Sequence, residues 1–464
     1  NEFPVLYLLS NYSYSVMATT LLPQGNRSRI MKVRQQPTSS PQHRGQCTFI
    51  CENTSKQHAG PGTADTSFAS AANVNFLDRS IAQKLLQILG QPPIRFVLWD
   101  GSTVSPDVDE PIGTMYFHDR GALYLPLLRP EFYCGELYSE GRIEVDGDLG
   151  QCLEVVYRGI QRDGGWAWLG WLNKTLGHRK IRNTFRKAAD NIHHHYDIGN
   201  DFYRLWLDRE AMQYTCAYYP DPAMTLEEAQ LAKMAHVCNK LQLKPGETVV
   251  EAGCGWGGFA LYMAKTHDVR VKAYNISREQ VGFAREKAEA LGLADRVEYM
   301  LDDYRNIRGD FDVFVSVGML EHVGTSDYAL LGNVIDRCLK PGGRGLIHSI
   351  GRNRPRPMNA WIERRIFPGA YPPALREMMD IFESGHFSVL DVENLRLHYA
   401  LTLKAWRQRF EANADRIESM LDEKFVRSWR LYLAGSAAAF TSGALQLFQV
   451  LFTREQDNDC LLYT

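Results

Sequence analysis

Residues 247–265 read ETVVEAGCGWGGFALYMAK, and the order of residue types in this stretch decides the fold. A short β-branched and apolar run, Thr248 to Ala252, leads into Gly253, Gly255, Gly257 and Gly258, and an apolar stretch free of Gly and Pro follows. That pattern is a buried strand, a glycine-rich turn and a helix. Outward from it the same rhythm repeats. VRVKAYNIS from Val269, VEYMLDDYR from Val297, FDVFVSVGM from Phe311 and GRGLIHSIG from Gly343 read as four further strands, with helical stretches such as REQVGFAREKAEALG between them. Strands alternating with helices imply an α/β fold with a doubly wound, Rossmann-like parallel sheet, which binds ligands just beyond the carboxyl ends of its strands.

The glycine turn narrows the ligand. Glycines at a strand-to-helix junction let a ligand approach the backbone closely and aim free amides at it. A dinucleotide site would carry GxGxxG, which GCGWGG meets only loosely, and an acid at the end of the second strand, where Asn275 stands instead. An acid before the turn, Glu251, followed by GxGxG is the arrangement by which methyltransferases hold S-adenosylmethionine. Asp302, Asp303 and Tyr304, after the third strand, are then expected near the adenine.

Composition sets the outer bounds. The chain has 464 residues, which predicts two or three domains, and 52 Lys plus Arg against 54 Asp plus Glu give no overall basic field for nucleic acid. No apolar run approaches the ~20 residues of a membrane-spanning helix. Nine cysteines without a paired framework, Cys47 and Cys51 excepted, suggest a reducing, cytoplasmic setting. Residues 1–74, rich in Ser, Thr, Gly, Pro and Gln, read as a disordered tail, partly foreign to the native start. Residues 75–172 read as a smaller α+β domain: FLDRSIAQKLLQIL is helical, whereas RFVLWDG, TMYFHDRGALYLPLL and IEVDGDL carry strand and turn signals. Five basic residues between His178 and Lys187, with Ile181 and Phe185, mark a basic linker helix at 173–190. The catalytic domain is expected over 191–455, with 456–464 as a tail. The run His193, His194, His195 is not a metal site, because adjacent side chains diverge on any backbone.

The ordered motifs HYDIGNDFYRLWLD, MQYTCAYY, LKPGETVVEAGCGWGGFALYMA, SVGMLEHVG, LIHSIG and WIERRIFPGAYPP resemble those of the cyclopropane-fatty-acyl-phospholipid synthases, relatives of the mycolic-acid cyclopropane synthases. The likeness covers roughly Pro130 to Thr453. It implies methyl transfer from S-adenosylmethionine to the cis double bond of an unsaturated phospholipid acyl chain, then proton removal to close a cyclopropane ring. It implies a bicarbonate ion held by Cys216, Glu321, His348, Ile350 and Tyr399. It implies Tyr214, Thr215, Glu251, Gly253, Gly255, Gly257, Asn275, Gln280, Asp303 and Tyr304 as the cofactor-binding set. His195, Tyr196 and Asp197 match the family's entry motif, and Ser436 stands where some members carry a late cysteine.

The chemistry makes its own demands. An alkene is a weak nucleophile, so the sulfonium must be aligned with it, and a carbocation needs dry surroundings with aromatic faces. Phe202, Tyr203, Trp206 and Tyr399 suit such a wall. Cys216 is read as an anion ligand, since no cation that would create a thiolate is evident in the sequence. Arg352, Arg354, Arg356, Arg364 and Arg365, with Trp361, Ile366 and Phe367, suit a peripheral site on an anionic membrane surface. The apolar helical stretch expected from Glu411 to Phe452 would pack on the sheet or pair two copies as a homodimer. The rival readings are a methyl- or methylene-branched lipid product and an amine N-methyltransferase.

Overall fold

The computed structural model describes residues 73–162, apart from 107 and 109, and residues 199–456. Residues 1–72 of the expected disordered tail, with Cys47 and Cys51, the expected basic linker helix at 173–190 and the histidine run with Tyr196 and Asp197 lie outside the described residues.

Seven strands form the main sheet in the order β10-β11-β9-β8-β5-β6-β7. They are β5 (Thr248–Ala252), β6 (Arg270–Asn275), β7 (Val297–Leu301), β8 (Phe311–Val317), β9 (Leu339–Gly351), β10 (Phe387–Asn394) and β11 (Gln446–Arg454). Strands β5 to β9 run parallel, and β11 lies antiparallel between β9 and β10. Alternate residues of each central strand are buried on opposite faces, as a doubly covered sheet requires. Val249, Val271, Val313 and Leu346 meet α6 (Leu226–Leu241), α7 (Gly258–His267) and α8 (Arg278–Ala290). Val250, Phe314, Ile347 and Val450 meet α9 (Tyr328–Cys338) and α11 (Leu375–Ser384) on the other face. The winding direction changes between β5 and β8, and that switch point opens the crevice in which such sheets bind ligands.

The amino-terminal described segment contributes a four-stranded sheet, β2-β1-β3-β4, from β1 (Ile94–Val97), β2 (Thr103–Val104), β3 (Gly113–Phe117) and β4 (Ile143–Gly147). Four helices accompany it: α1 (Phe76–Ile88), α2 (Arg120–Leu128), α3 (Pro130–Ser139) and α4 (Leu149–Arg162). The remaining helices, α5 (Asn200–Arg204), α10 (Ala360–Arg365), α12 (Arg396–Glu411), α13 (Ala414–Met420) and α14 (Glu423–Ser442), surround an aromatic cluster.

Two local expectations fail for physical reasons. GALYLPLL is helical, not a strand: Asp119 accepts a hydrogen bond from the Ala122 amide and caps α2, and Pro126 lies within the helix, which ends two residues later at Leu128. The carboxyl-terminal helix ends at Gly443, whose φ of +81° only glycine adopts freely, and the chain returns as β11. QLFQVLFTR is buried on both faces, so its apolar run carried no strand period.

Candidate active site

Each parallel strand delivers polar groups at its carboxyl end. Beyond β5 the turn runs through Gly253, Gly255 and Gly257 at φ of +84°, +53° and +77°. A Cβ on Gly253 would meet Met319 at 2.7 Å, and one on Gly257 would meet the Tyr299 hydroxyl at 2.5 Å. Gly255 differs. Nothing lies within 4 Å of the position its Cβ would take, so this glycine faces open space while its neighbours are packed. Asn275, ending β6, donates to the Gly255 carbonyl at 3.0 Å and to Gln280 Oε1 at 2.8 Å, which fixes the turn from the side.

The acid before the turn is fully enclosed. Burial pushes the Glu251 carboxyl up to about 8 against the opposing influence of Lys233, and its Oε2 finds no partner. After β7, burial raises Asp303, and its carboxylate accepts from the backbone and guanidinium of Arg305. The neighbouring Tyr304 hydroxyl is buried without a hydrogen-bond partner. Asp302 takes the Asp303 amide and the Asn306 carboxamide.

The second group gathers where β8 and β9 end. Glu321 Oε1 accepts the Ile350 amide at 2.6 Å, Oε2 is unpartnered, and burial raises this carboxyl to about 7 despite the backbone bonds. His348 lies two residues earlier in β9. Its Nδ1 meets the carboxamide of the wholly buried Gln449 at 3.2 Å, its Nε2 has no partner, and burial lowers it to about 3, so the ring is neutral. His348 and Glu321 are not bonded to one another; Gln449 and Ile350 hold them separately.

Cys216 joins this group through the backbone. Its thiol donates to the Ala217 carbonyl at 3.1 Å and lies 3.9 Å from the Leu395 carbonyl. That same carbonyl accepts the Tyr399 amide, Leu395 in turn donates to Leu447, and Leu447 pairs with Ile350. Cysteine, tyrosine, glutamate and the end of β9 therefore occupy one connected patch. The sequence shows no cation near Cys216, but the structure supplies one in Lys233. Burial nevertheless raises the thiol well above its usual range, so it remains protonated.

Aromatic rings cover the patch. Phe202, Tyr203 and Trp206 are fully buried and Tyr399 nearly so. Ring centroids lie 4.9 Å apart for Tyr203 and Trp256, 5.1 Å for Trp206 and Tyr214, 5.5 Å for Trp206 and Trp406, and 5.8 Å for Tyr399 and Trp406. Trp256 belongs to the glycine turn, so the turn and the cover are in direct contact. The Tyr214 hydroxyl donates to Tyr432 of α14 at 2.9 Å. Thr215 lies against Gly318 at the end of β8, where an added Cβ would come within 2.8 Å of it.

The family model of the mycolic acid cyclopropane synthetases matches residues 183–450. The chain belongs to that family. It is 44% identical over 338 residues to the cyclopropane-fatty-acyl-phospholipid synthase of Escherichia coli, covering 70% of this chain and 83% of that protein. It is 32% identical over 404 residues to the tuberculostearic acid methyltransferase UfaA1 of Mycobacterium tuberculosis, covering 83% and 92%. Among solved structures, the mycolic acid cyclopropane synthase CmaA1 complexed with SAH and CTAB aligns over 57% of this chain and 97% of its own, at 29% identity and a TM-score of 0.54. This family member is an S-adenosylmethionine-dependent methyltransferase of the cyclopropane-fatty-acyl-phospholipid synthase type.

One expectation changes shape in three dimensions. The arginine-rich segment is not a set of five solvated cations. Trp361 and Ile366 are buried, Trp361 against Gly135 of α3. Arg365 pairs with Glu136 at 2.5 Å, Arg364 lies over the Phe132 ring, and Arg352 donates to two backbone carbonyls. Sequence reading also missed Gln230 and Lys233, polar residues inside the buried face of α6. The available signal was their i, i+3 spacing within a stripe otherwise made of Leu226, Ala229, Met234 and Val237. Among the described residues, no helix is long and apolar enough to cross a membrane.

Proposed function

We propose that this chain methylates the cis double bond of an unsaturated phospholipid acyl chain and closes it to a cyclopropane ring. The observation that carries the reading is the buried Glu321 carboxyl, tied by one oxygen to Ile350, unpartnered at the other and raised to about 7, beneath an aromatic cover that touches the glycine turn.

The turn is the proposed seat of S-adenosylmethionine. Gly255 leaves room there, Glu251 offers a carboxyl that the ligand's ammonium group would draw toward ionisation, and Asp303 with Tyr304 lines the side toward β7. Tyr214 and Thr215 would close the seat from above. The rings of Phe202, Tyr203, Trp206 and Tyr399 exclude water and offer π faces to positive charge that develops on the alkene carbons. Proton removal needs a base near neutrality, and Glu321 is suited to hold or pass a proton at Oε2. His348, neutral and unpartnered at Nε2, is suited to donate.

A bicarbonate fits this group. Glu321 Oε2 and His348 Nε2, two buried polar atoms without partners, match an anion that both donates and accepts. When bound it would supply a base beside the substrate, held by Glu321 and His348 with Cys216 and Tyr399 at its edge. Ile350 contributes differently, since its amide is committed to Glu321. Access to a bilayer would run through the exposed Arg354 and its neighbours, so anionic lipid should favour docking.

The test is incubation with methyl-labelled S-adenosylmethionine and vesicles of monounsaturated phospholipid, followed by proton NMR of the recovered lipid. Cyclopropyl protons at high field support ring closure. A methyl doublet would assign a branched product, and absence of label from the lipid would overturn the reading.

A further inference from the structure

A lysine with no exposed surface needs a reason, because removing an ammonium from water costs several kcal/mol unless partners compensate. Lys233, in the middle of α6, donates to Gln213 Oε1 and, at 3.2 Å, to Thr215 Oγ1, and lies 5.7 Å from the Phe259 ring centroid. One turn earlier on the same face, Gln230 donates to the backbone carbonyls of Gln213 and Thr215 at 3.3 and 2.9 Å. Asp208 takes the amides of Ala211 and Gln213 at 2.8 and 2.7 Å. The segment that carries Tyr214, Thr215 and Cys216 is thus clamped to α6 by two buried polar side chains. Opposite stands Glu251, buried on the strand face that α6 covers, with one oxygen unpartnered.

We propose that Lys233 is a positioning residue of the cofactor cleft, holding the Gln213–Cys216 segment, with Tyr214 and Thr215, in place for an ammonium-bearing ligand. This rests on the reading of the glycine turn as the S-adenosylmethionine seat. The charge balance is internal to the fold. Lys233 faces Asp208 and Cys216 from the preceding loop, Cys238 from its own helix, Glu251 from β5 and His348 from β9. Burial lowers Lys233 to about 8 and raises Glu251 to about 8, so near neutral pH the lysine is largely charged and the glutamate largely protonated.

The experiment is calorimetric titration of S-adenosylhomocysteine into the full-length protein and its Lys233→Met variant across pH 6.5 to 9. The variant is expected to bind roughly ten- to hundredfold more weakly at neutral pH, from the loss of buried charge-assisted bonds. The wild-type ammonium loses its proton as pH rises through about 8, which weakens its bonds to Gln213 and Thr215, so the deficit should shrink as pH rises. In steady state, KM for S-adenosylmethionine should rise while kcat at saturation changes little. Unchanged affinity, or a deficit that does not vary with pH, overturns the proposal. If Lys233→Met fails to fold, Gln213→Met and Thr215→Val cut the clamp one bond at a time and leave the lysine charged. Each should weaken binding by about two- to tenfold, and wild-type affinity in both also overturns it. Wild-type protein that binds no S-adenosylhomocysteine removes the cofactor seat itself, and the lysine's role with it.

Discussion

The strand ends beneath the site and the aromatic helices above it solve opposite problems. Below, Glu251, Asp303, Glu321 and His348 come from four different strand ends, and burial has shifted each of them from its ordinary titration range, the three carboxyls upward and the imidazole downward. Above, Phe202, Trp206, Trp406 and Phe410 are held by mutual packing, and the indole N–H groups of Trp206 and Trp406 find no acceptor. An unpaired buried donor costs about 1–3 kcal/mol, which aromatic burial must offset. The lower region therefore spends stability on charge placement, and the upper region spends it on dryness. Changes below should alter protonation and cofactor binding with little effect on packing; changes above should do the reverse.

The largest expected effect tests the lower region. Glu321→Gln should reduce turnover by about two to four orders of magnitude while leaving S-adenosylhomocysteine affinity intact. In the wild type the ionised carboxylate is the active form, so the rate should fall as pH drops through about 7. His348, neutral down to about 3, adds no limb of its own in that range. The stability effect has the opposite sign. A carboxyl whose folded value lies above its unfolded one stabilises the fold at low pH and loses that contribution as pH rises through about 7. The Gln variant should accordingly melt higher than wild type at pH 8, and near-normal turnover in it would break the division of roles.

Gly255→Val comes next. The left-handed backbone costs a β-branched residue about 1–2 kcal/mol of stability, and its side chain would fill the open space beside the turn that the cofactor needs, so binding should be lost. Calorimetry showing unchanged affinity would move the cofactor elsewhere. Above the site, Trp406→Ala should cost about 3–5 kcal/mol of stability, read by denaturant titration, while cofactor affinity in the folded fraction holds. Equal loss of stability and affinity would mean that the two regions are not separable. The smallest effect belongs to Arg354→Gln, expected to weaken sedimentation with anionic vesicles by about 1 kcal/mol at low salt and to leave activity on detergent-dispersed lipid unchanged.

The two regions also differ in how much the sequence displayed. The lower one is local: a strand, its glycine turn and the residue after each strand lie within a few positions of one another, so β5 to β9 and Glu251, Asn275 and Asp303 could be placed by period and spacing. The upper one is assembled from segments some two hundred residues apart, such as Tyr214 with Tyr432. Only the family resemblance linked Cys216 and Tyr399 to Glu321. Strand β11 was hidden because both its faces are buried, and β10 because FSVLDVEN alternates weakly before a helix. Lys233 was hidden because a lysine in an amphipathic helix usually marks the solvent side. The arginines near Trp361 looked free because their partners, Glu136 and Phe132, lie in a distant segment.

The central claim is that one methyl group becomes the bridging carbon of a ring. Trideuteromethyl S-adenosylmethionine with monounsaturated phospholipid tests it most directly, by mass spectrometry of the released fatty acids. Ring closure removes one deuteron, so the product should retain two on the added carbon, and Glu321→Gln should form far less of it. Retention of all three deuterons would show transfer without closure and contradict the account.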